Sequence, residues 1–258
     1  MIRIASKPKL MPSLRMLVLI AVATVVFAPA GYAWAASADE PGEAAAPLMA
    51  VGDFNRDGIA DIAEVVMPVG DAAGPGELTV SLGQADGSYL PAMAQLALGH
   101  APRSIATADF NGDGILDLVV GDDSGALTLF LGDGTGRLVP AGDIARLDSV
   151  VSIAVADFNR DGIPDIAVSD WRGSTVTVLL GEGKGWFRRG WSFPLAMRGK
   201  VARISTADFN KDGIPDLAVV YDDDAGSTFE VMLGTGTGTF TDAPELSFSR
   251  NPNAHCAT

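Results

Sequence analysis

The sequence predicts an all-β fold: a β-propeller of four four-stranded antiparallel blades, closed as a four-blade ring or open as a half-propeller. Three observations carry this reading. The 258 residues include 30 glycines and 15 prolines, a density of turn formers that favours short strands over long helices. A nine-residue acidic string recurs four times, as DFNRDGIAD from Asp53, DFNGDGILD from Asp109, DFNRDGIPD from Asp157 and DFNKDGIPD from Asp208. A second motif keeps the same beat: Leu-Gly, three residues, a glycine, one more residue and a large apolar one. It runs from Leu82-Gly83 to Tyr89, Leu131-Gly132 to Leu138, Leu180-Gly181 to Phe187 and Leu233-Gly234 to Phe240. Two motifs in phase over four copies mark a repeat of about fifty residues, the size of one propeller blade.

The first 35 residues read as a leader. Arg3, Lys7, Lys9 and Arg15 precede Met16 to Ala28, thirteen residues without a charge. That run falls short of the roughly 20 apolar residues a membrane span needs, but it suits the centre of an export signal. Pro29 and Gly31 break it, and Ala33-Trp34-Ala35 supplies a small-x-small cleavage pattern. Cleavage after Ala35 leaves a linker over 36–46, the propeller over 47–250 and a tail over 251–258. The mature chain then has no transmembrane span, and it is expected to be exported, as a secreted or periplasmic protein or one associated with the cell surface. Its 14 basic and 32 acidic residues give a charge of −18. That balance excludes nucleic acid, whose phosphates select basic faces.

Within each unit every segment reads as strand. In the third, Ser152–Ala156 precedes the acidic string, Asp165–Val168 and Thr175–Leu180 follow it, and a weaker segment follows Phe187. Each is short, rich in β-branched residues and bounded by Gly, Asp or Pro. Extra residues in the first unit fall at Met67–Glu77 and in the last near Asp222–Ser227, both between the second and third strands.

The acidic string has the chemistry of a calcium loop. D-x-N-x-D-G-x-x-D sets oxygen donors at positions one, three, five and nine, with the carbonyl of position seven turned inward. Calcium is a hard cation that takes six to eight oxygens, and glycine at position six lets the chain wrap around it. Clustered carboxylates repel one another, and a dication removes that penalty. An EF-hand loop begins the same way but needs an acid at position twelve and flanking helices. Position twelve here is Glu64, Val120, Val168 and Val219, and β-branched strand follows. The nonapeptide of calcium-binding parallel β-helices is also absent.

These residues carry a resemblance. ADFNGDG, a strand and an LGxGxGxF-type turn resemble the FG-GAP-like, or VCBS, repeat of integrin-type β-propellers, over about residues 47 to 248. The resemblance implies up to four calcium ions, largely structural. Asp53, Asn55, Asp57 and Asp61 with the Ile59 carbonyl would hold the first. Asp109, Asn111, Asp113, Asp117 and the Ile115 carbonyl would hold the second. Asp157, Asn159, Asp161, Asp165 and the Ile163 carbonyl serve the third, and Asp208, Asn210, Asp212, Asp216 and the Ile214 carbonyl the fourth. Propellers of that family usually have seven blades, so four imply a small ring, a fragment, or an arc that pairs with a second copy.

Other chemistry is sparse. One cysteine, Cys256, excludes a disulfide scaffold, and two histidines, His100 and His255, cannot build a pair or triad. Carboxylate-pair hydrolysis is not excluded by composition. The GxGxG runs at Gly181–Gly185 and Gly234–Gly238 lead from strand to strand, so they read as hairpin turns and not phosphate loops. No catalytic constellation emerges, and the expectation is a non-enzymatic binding module for an extracellular protein or carbohydrate. The alternatives are an assembly protein that completes a larger ring as a homodimer, and a secreted lyase or hydrolase. The third unit alone gathers Trp171, Trp186 and Trp191 with Arg172, Arg188 and Arg189, residue types enriched at recognition surfaces. Loop parity places Trp171 and Arg172 on the face opposite the acidic loops, as candidate ligand contacts. Trp186 is expected to pack beside Phe187, Asp122, Asp123 and Asp170 to sit in loops equivalent to that of the run Asp222–Asp224, and this acidic run to form a solvated loop.

Overall fold

The computed structural model describes residues 48–67, 75–90, 95–99, 101–194, 200–223, 226–243 and 248–249. The expected leader, linker and tail, with His100, His255 and Cys256, lie outside the described residues. Among the described residues no helix is long and apolar enough to cross a membrane.

The chain folds as four antiparallel meanders. The first is β1 (Leu48–Gly52), β2 (Asp61–Val66), β3 (Glu77–Ser81) and β4 (Gln95–Ala97). The second comprises β5 (Pro102–Ala108), β6 (Asp117–Asp122), β7 (Ala126–Gly132) and β8 (Leu138–Arg146). In the third, β9 (Val150–Ala156), β10 (Asp165–Asp170), β11 (Thr175–Gly183) and β12 (Trp186–Pro194) follow in order. The fourth has β13 (Lys200–Ala207), β14 (Asp216–Asp223), β15 (Gly226–Gly234) and β16 (Phe240–Asp242), and β17 (Phe248–Ser249) also pairs with β15. The all-β architecture and the four-stranded units are as the repeat period predicts. The residues around Asp222–Ser227 do not form a longer loop as expected. They extend the hairpin, with Asp222 paired to Ser227 and Asp223 to Gly226.

Burial follows the position of each strand. β10 is buried at all six residues, because a blade in mid-row meets a neighbour on each face. The outermost strand β8 is mostly exposed after Leu138. Among the described residues the core divides into three apolar clusters. One joins the first and second blades (Ala50, Val65 and Leu78 with Ile105, Leu118 and Phe130). Another joins the second and third (Leu127 and Leu129 with Ile153 and Ile166). The last joins the third and fourth (Val176 and Val178 with Ile204, Val219 and Met232). Blade-to-blade stacking of this kind makes each unit depend chiefly on its neighbours.

A latch repeats at each of these three interfaces. The glycine at the β3–β4 type hairpin tip donates its N–H to the carbonyl of the phenylalanine in the preceding blade's acidic string. The pairs are Gly136 to Phe54 (3.1 Å), Gly185 to Phe110 (3.0 Å) and Gly238 to Phe158 (3.0 Å). Phe110 meets Phe187 edge-on at 5.6 Å, and Phe158 meets Phe240 at 5.4 Å. Such pairs add about 0.5–1.5 kcal/mol beyond area burial.

Candidate functional site

The four acidic strings connect the first and second strands of their blades and fold by one pattern of hydrogen bonds. In the first, Asp53 Oδ1 accepts the Asp57 N–H (3.1 Å) and Oδ2 that of Gly58 (2.8 Å). Asn55 Oδ1 also accepts the Asp57 N–H (2.9 Å), and Asp57 Oδ1 accepts that of Ile59 (2.8 Å). The Asn55 side-chain amide donates to Asp57 Oδ2 (2.9 Å). Asp109, Asn111 and Asp113 repeat this set, as do Asp157, Asn159 and Asp161 and Asp208, Asn210 and Asp212. The tight wrap requires left-handed backbone at position six, where Gly58, Gly114, Gly162 and Gly213 have φ of +82°, +79°, +83° and +82°. Side chains at one, three and five are therefore brought together in every loop.

Position nine behaves differently. Asp61, Asp117, Asp165 and Asp216 are fully buried at the start of the second strand of each blade. Asp61 Oδ2 accepts the Phe54 N–H and Oδ1 that of Gly83, both at 2.8 Å. Asp117 binds Phe110 and Gly132 (2.9 Å each), Asp165 binds Phe158 (2.9 Å) and Gly181 (2.8 Å), and Asp216 binds Phe209 and Gly234 (2.8 Å each). This aspartate thus ties the acidic string to the Leu-Gly motif, which is why the two motifs keep phase. The glycine is obligatory, since a Cβ on Gly181 would collide with the Pro164 carbonyl oxygen, and Gly83, Gly132 and Gly234 meet equivalent carbonyls. Desolvation raises the Asp61 carboxyl above its ordinary range and pushes Asp117 and Asp165 up to about 6, against the pull of the amide hydrogen bonds.

The donor set suits a hard dication in kind. Each loop offers an exposed carboxylate at position five, one at position one that is half-buried in the first three loops and exposed in the fourth, an amide oxygen and a buried carboxylate. Among the described residues three ion pairs occur, Arg103–Asp123, Arg146–Asp143 and Arg188–Glu182, and none uses a loop aspartate. The loop charges thus have no ion-paired cation within the described fold. Among the same residues no three His, Cys, Asp or Glu side chains stand close enough to form a ready-made metal cluster. Position nine accounts for this, because its carboxylate faces amides on the strand side. An oxygen that accepts one N–H keeps a second lone pair for a cation, so the donor types are those a hard dication such as calcium takes, while the four donors do not converge in this structure.

The opposite end of each blade carries the turn between its second and third strands. In the third blade this turn is 171–174, where Trp171 is 38% exposed and Arg172 is exposed. The Trp171 N–H donates to the Ser149 carbonyl (3.0 Å), as Asp123 does to Ala101 (3.1 Å) in the second blade. Asp170, beside Trp171, is not solvated despite its charge. It is 4% exposed, and it accepts N–H groups from Asp148 (2.9 Å), Ser149 (3.1 Å) and Gly173 (2.9 Å). Three amides offset its burial and hold the turn that presents Trp171. Trp186 departs from expectation. It is 69% exposed while Phe187 packs on Phe110, and Trp191 stacks on Phe193 at 5.4 Å beside the core. Trp186 occupies the first position of β12, where strand alternation turns it away from its neighbour. The sequence reading also missed the phenylalanine at position two, whose recurrence in all four strings was its signal.

Four antiparallel blades stacked through repeated acidic loops define a propeller-type repeat module. The chain belongs to the FG-GAP-like repeat family, whose model matches residues 53–120, 109–168, 168–219 and 208–258. No curated protein matches it in sequence. Among solved structures it is similar to the β-fructofuranosidase from Schwanniomyces occidentalis complexed with fructosyl-erythritol (TM-score 0.54, 8% identity, 84% of this chain and 49% of that one). It also resembles BBS1N in complex with ARL6DN (0.47, 14%, 74% and 52%) and the V. cholerae biofilm matrix protein Bap1 (0.43, 18%, 82% and 42%). The chain spans about half the length of these proteins. At 8% identity the likeness to the β-fructofuranosidase is one of fold alone.

Proposed function

We propose that the chain is an exported, calcium-stabilised propeller module that binds a protein or carbohydrate ligand and is not itself an enzyme. One observation carries the reading: four loops of identical hydrogen bonding hold their aspartates together without an ion-paired cation. Bound calcium would neutralise that repulsion and fix the loops. The residues that would hold it are positions one, three, five and nine of each string with the carbonyl of Ile59, Ile115, Ile163 or Ile214. The opposite face then serves recognition, because turns on a rigid scaffold are where specificity resides. Trp171 offers a platform for a sugar ring or apolar side chain, and Arg172 a forked donor beside it. The β-fructofuranosidase likeness brings no catalytic residue with it.

The test is calorimetric titration of chelator-treated protein with calcium, paired with screening on glycan and extracellular-protein arrays. Wild type should take up to four ions and Asp161→Ala one fewer, the other loops being little changed. Trp171→Ala should weaken the captured ligand at least fivefold with calcium uptake intact. Absence of calcium uptake sinks the metal reading; undiminished ligand binding by Trp171→Ala sinks the recognition face.

A further inference from the structure

We propose that the first and fourth blades are two halves of one docking surface for a second copy of this chain, joined head to tail through the interblade latch. The proposal stands apart from the ligand and calcium readings. Its basis is a break in an otherwise regular pattern. Phe54, Phe110 and Phe158 are each 1% exposed, whereas Phe209, their equivalent in the last blade, is 39% exposed. No later hairpin tip among the described residues donates to the Phe209 carbonyl, as Gly136, Gly185 and Gly238 do to the other three.

The first blade carries the missing counterpart. Tyr89 occupies the position of Leu138, Phe187 and Phe240, yet it is 46% exposed where Leu138 is 4% and Phe240 7%. The tip glycine before it, Gly87, already has the latch conformation, with φ of +81° against +85°, +76° and +76° for Gly136, Gly185 and Gly238. Those three lie against Leu82, Leu129 and Leu180 of the preceding blade, while the space around Gly87 is open. On the flank of the first blade that faces no other blade among the described residues, Val51 and Val66 are 48% and 46% exposed.

The strand faces match as well. At the inner interfaces Ser104 Oγ accepts the Ile153 N–H (3.0 Å), and Ser152 Oγ accepts the Ile204 N–H (3.2 Å). The fourth blade places exposed Arg203 at that serine position, and the first places Met49 at that isoleucine position. Met49 pairs across the ladder with Glu64, where the other blades have Val120, Val168 and Val219. The terminal faces thus carry charges of opposite sign, Arg203 on the fourth blade and Glu64 on the first. A solvent cap needs no tyrosine, phenylalanine and two valines. The occupant is a second copy because the described residues hold one unmatched tip and one unmatched phenylalanine, so two copies arranged as a ring leave neither unmatched.

Sedimentation velocity and light scattering on the purified protein with calcium, from 1 to roughly 100 μM, should show a discrete dimer. Phe209→Glu and Tyr89→Glu should each sediment as folded monomers, with circular dichroism unchanged. Mixing the two variants should restore association, because one intact tip and one intact phenylalanine remain between them. Unfolded variants cannot give that rescue. A wild-type monomer throughout the range overturns the proposal, as does a dimer that survives both substitutions. A monomer whose latch faces are occupied by a different polypeptide in the exported fraction overturns it too.

Discussion

The Asp165 carboxylate accepts the Gly181 N–H at 2.8 Å across sixteen residues of chain, while its other oxygen takes the Phe158 N–H at 2.9 Å. This one buried side chain fixes the entry of β10, the end of the acidic loop and the turn into the outer hairpin. Asp165→Asn replaces one acceptor oxygen by a donor, so one amide must face another. The expected cost is about 1–3 kcal/mol, read from urea unfolding in chelator. Asp161→Asn, at an exposed position, should cost under about 0.5 kcal/mol under the same conditions. Equal costs would show that the link between the motifs contributes nothing.

Two glycines of the same blade separate conformational from steric demand. Gly162 has φ of +83° and open space where a Cβ would stand, whereas a Cβ on Gly181 meets the Pro164 carbonyl oxygen. Gly162→Ala should cost about 1–2 kcal/mol, the price of left-handed backbone for an L-residue. Gly181→Ala should cost about 3 kcal/mol or more, since the carbonyl belongs to the loop and cannot yield. Thermal melts of both variants check the ranking; the reverse order would contradict the close approach.

If calcium fills the four loops, the melting temperature should rise from chelator to calcium by a margin that grows with ion concentration. Mass action gives about 2.7 kcal/mol per site at a hundredfold excess over the dissociation constant. Differential scanning calorimetry at fixed ionic strength makes the comparison. Superimposable melts would leave the loops as self-sufficient turns.

Repeat, strand order and the four loop positions were legible because turn chemistry and spacing act locally. The acidic string holds itself together by hydrogen bonds within six residues. What was not legible depends on contacts far along the chain. Asp170 carries a charge, and only its neighbours from twenty-odd residues earlier, Asp148 and Ser149, make it a buried anchor. Trp186 and Phe187 are adjacent in sequence, and strand alternation alone sends one to solvent and the other onto Phe110. Spacing puts position nine in the loop's donor set but does not reveal its amide partners, Gly83, Gly132, Gly181 and Gly234, which sit in the other motif.

Acidity supplies another check on the calcium-free protein. Desolvation holds Asp117 and Asp165 at about 6 in the folded state, against about 3.9 unfolded. Between these values the folded state binds more protons, so stability falls as pH rises through the window, and the contribution is fully present only below about pH 4. Each group accounts for about 3 kcal/mol at most. Urea titrations in chelator from pH 4 to 7 should therefore give a declining midpoint, and Asp117→Asn should flatten the decline. A midpoint that climbs over this range would mean that the amide hydrogen bonds outweigh burial.

The four equivalent phenylalanines offer the last contrast. Phe158 is 1% exposed, accepts the Gly238 N–H at its carbonyl and meets Phe240 edge-on at 5.4 Å. Phe209 has the same place in its loop, and its N–H likewise donates to a buried aspartate, Asp216, at 2.8 Å. Backbone role is therefore common to both, and only the side chain's surroundings differ. Phe158→Ala should cost about 3–5 kcal/mol, the loss of burial plus the cavity left between blades. Phe209→Ala, measured in protein dilute enough to be monomeric, should cost under about 1 kcal/mol, because 39% of the side chain is already in water. At high concentration the same Phe209 variant should lose the stabilisation that association gives the wild type. Chemical unfolding at two protein concentrations measures all of this, and a Phe209→Ala cost as large as that of Phe158→Ala in the dilute sample would mean that the last blade is covered from within its own chain.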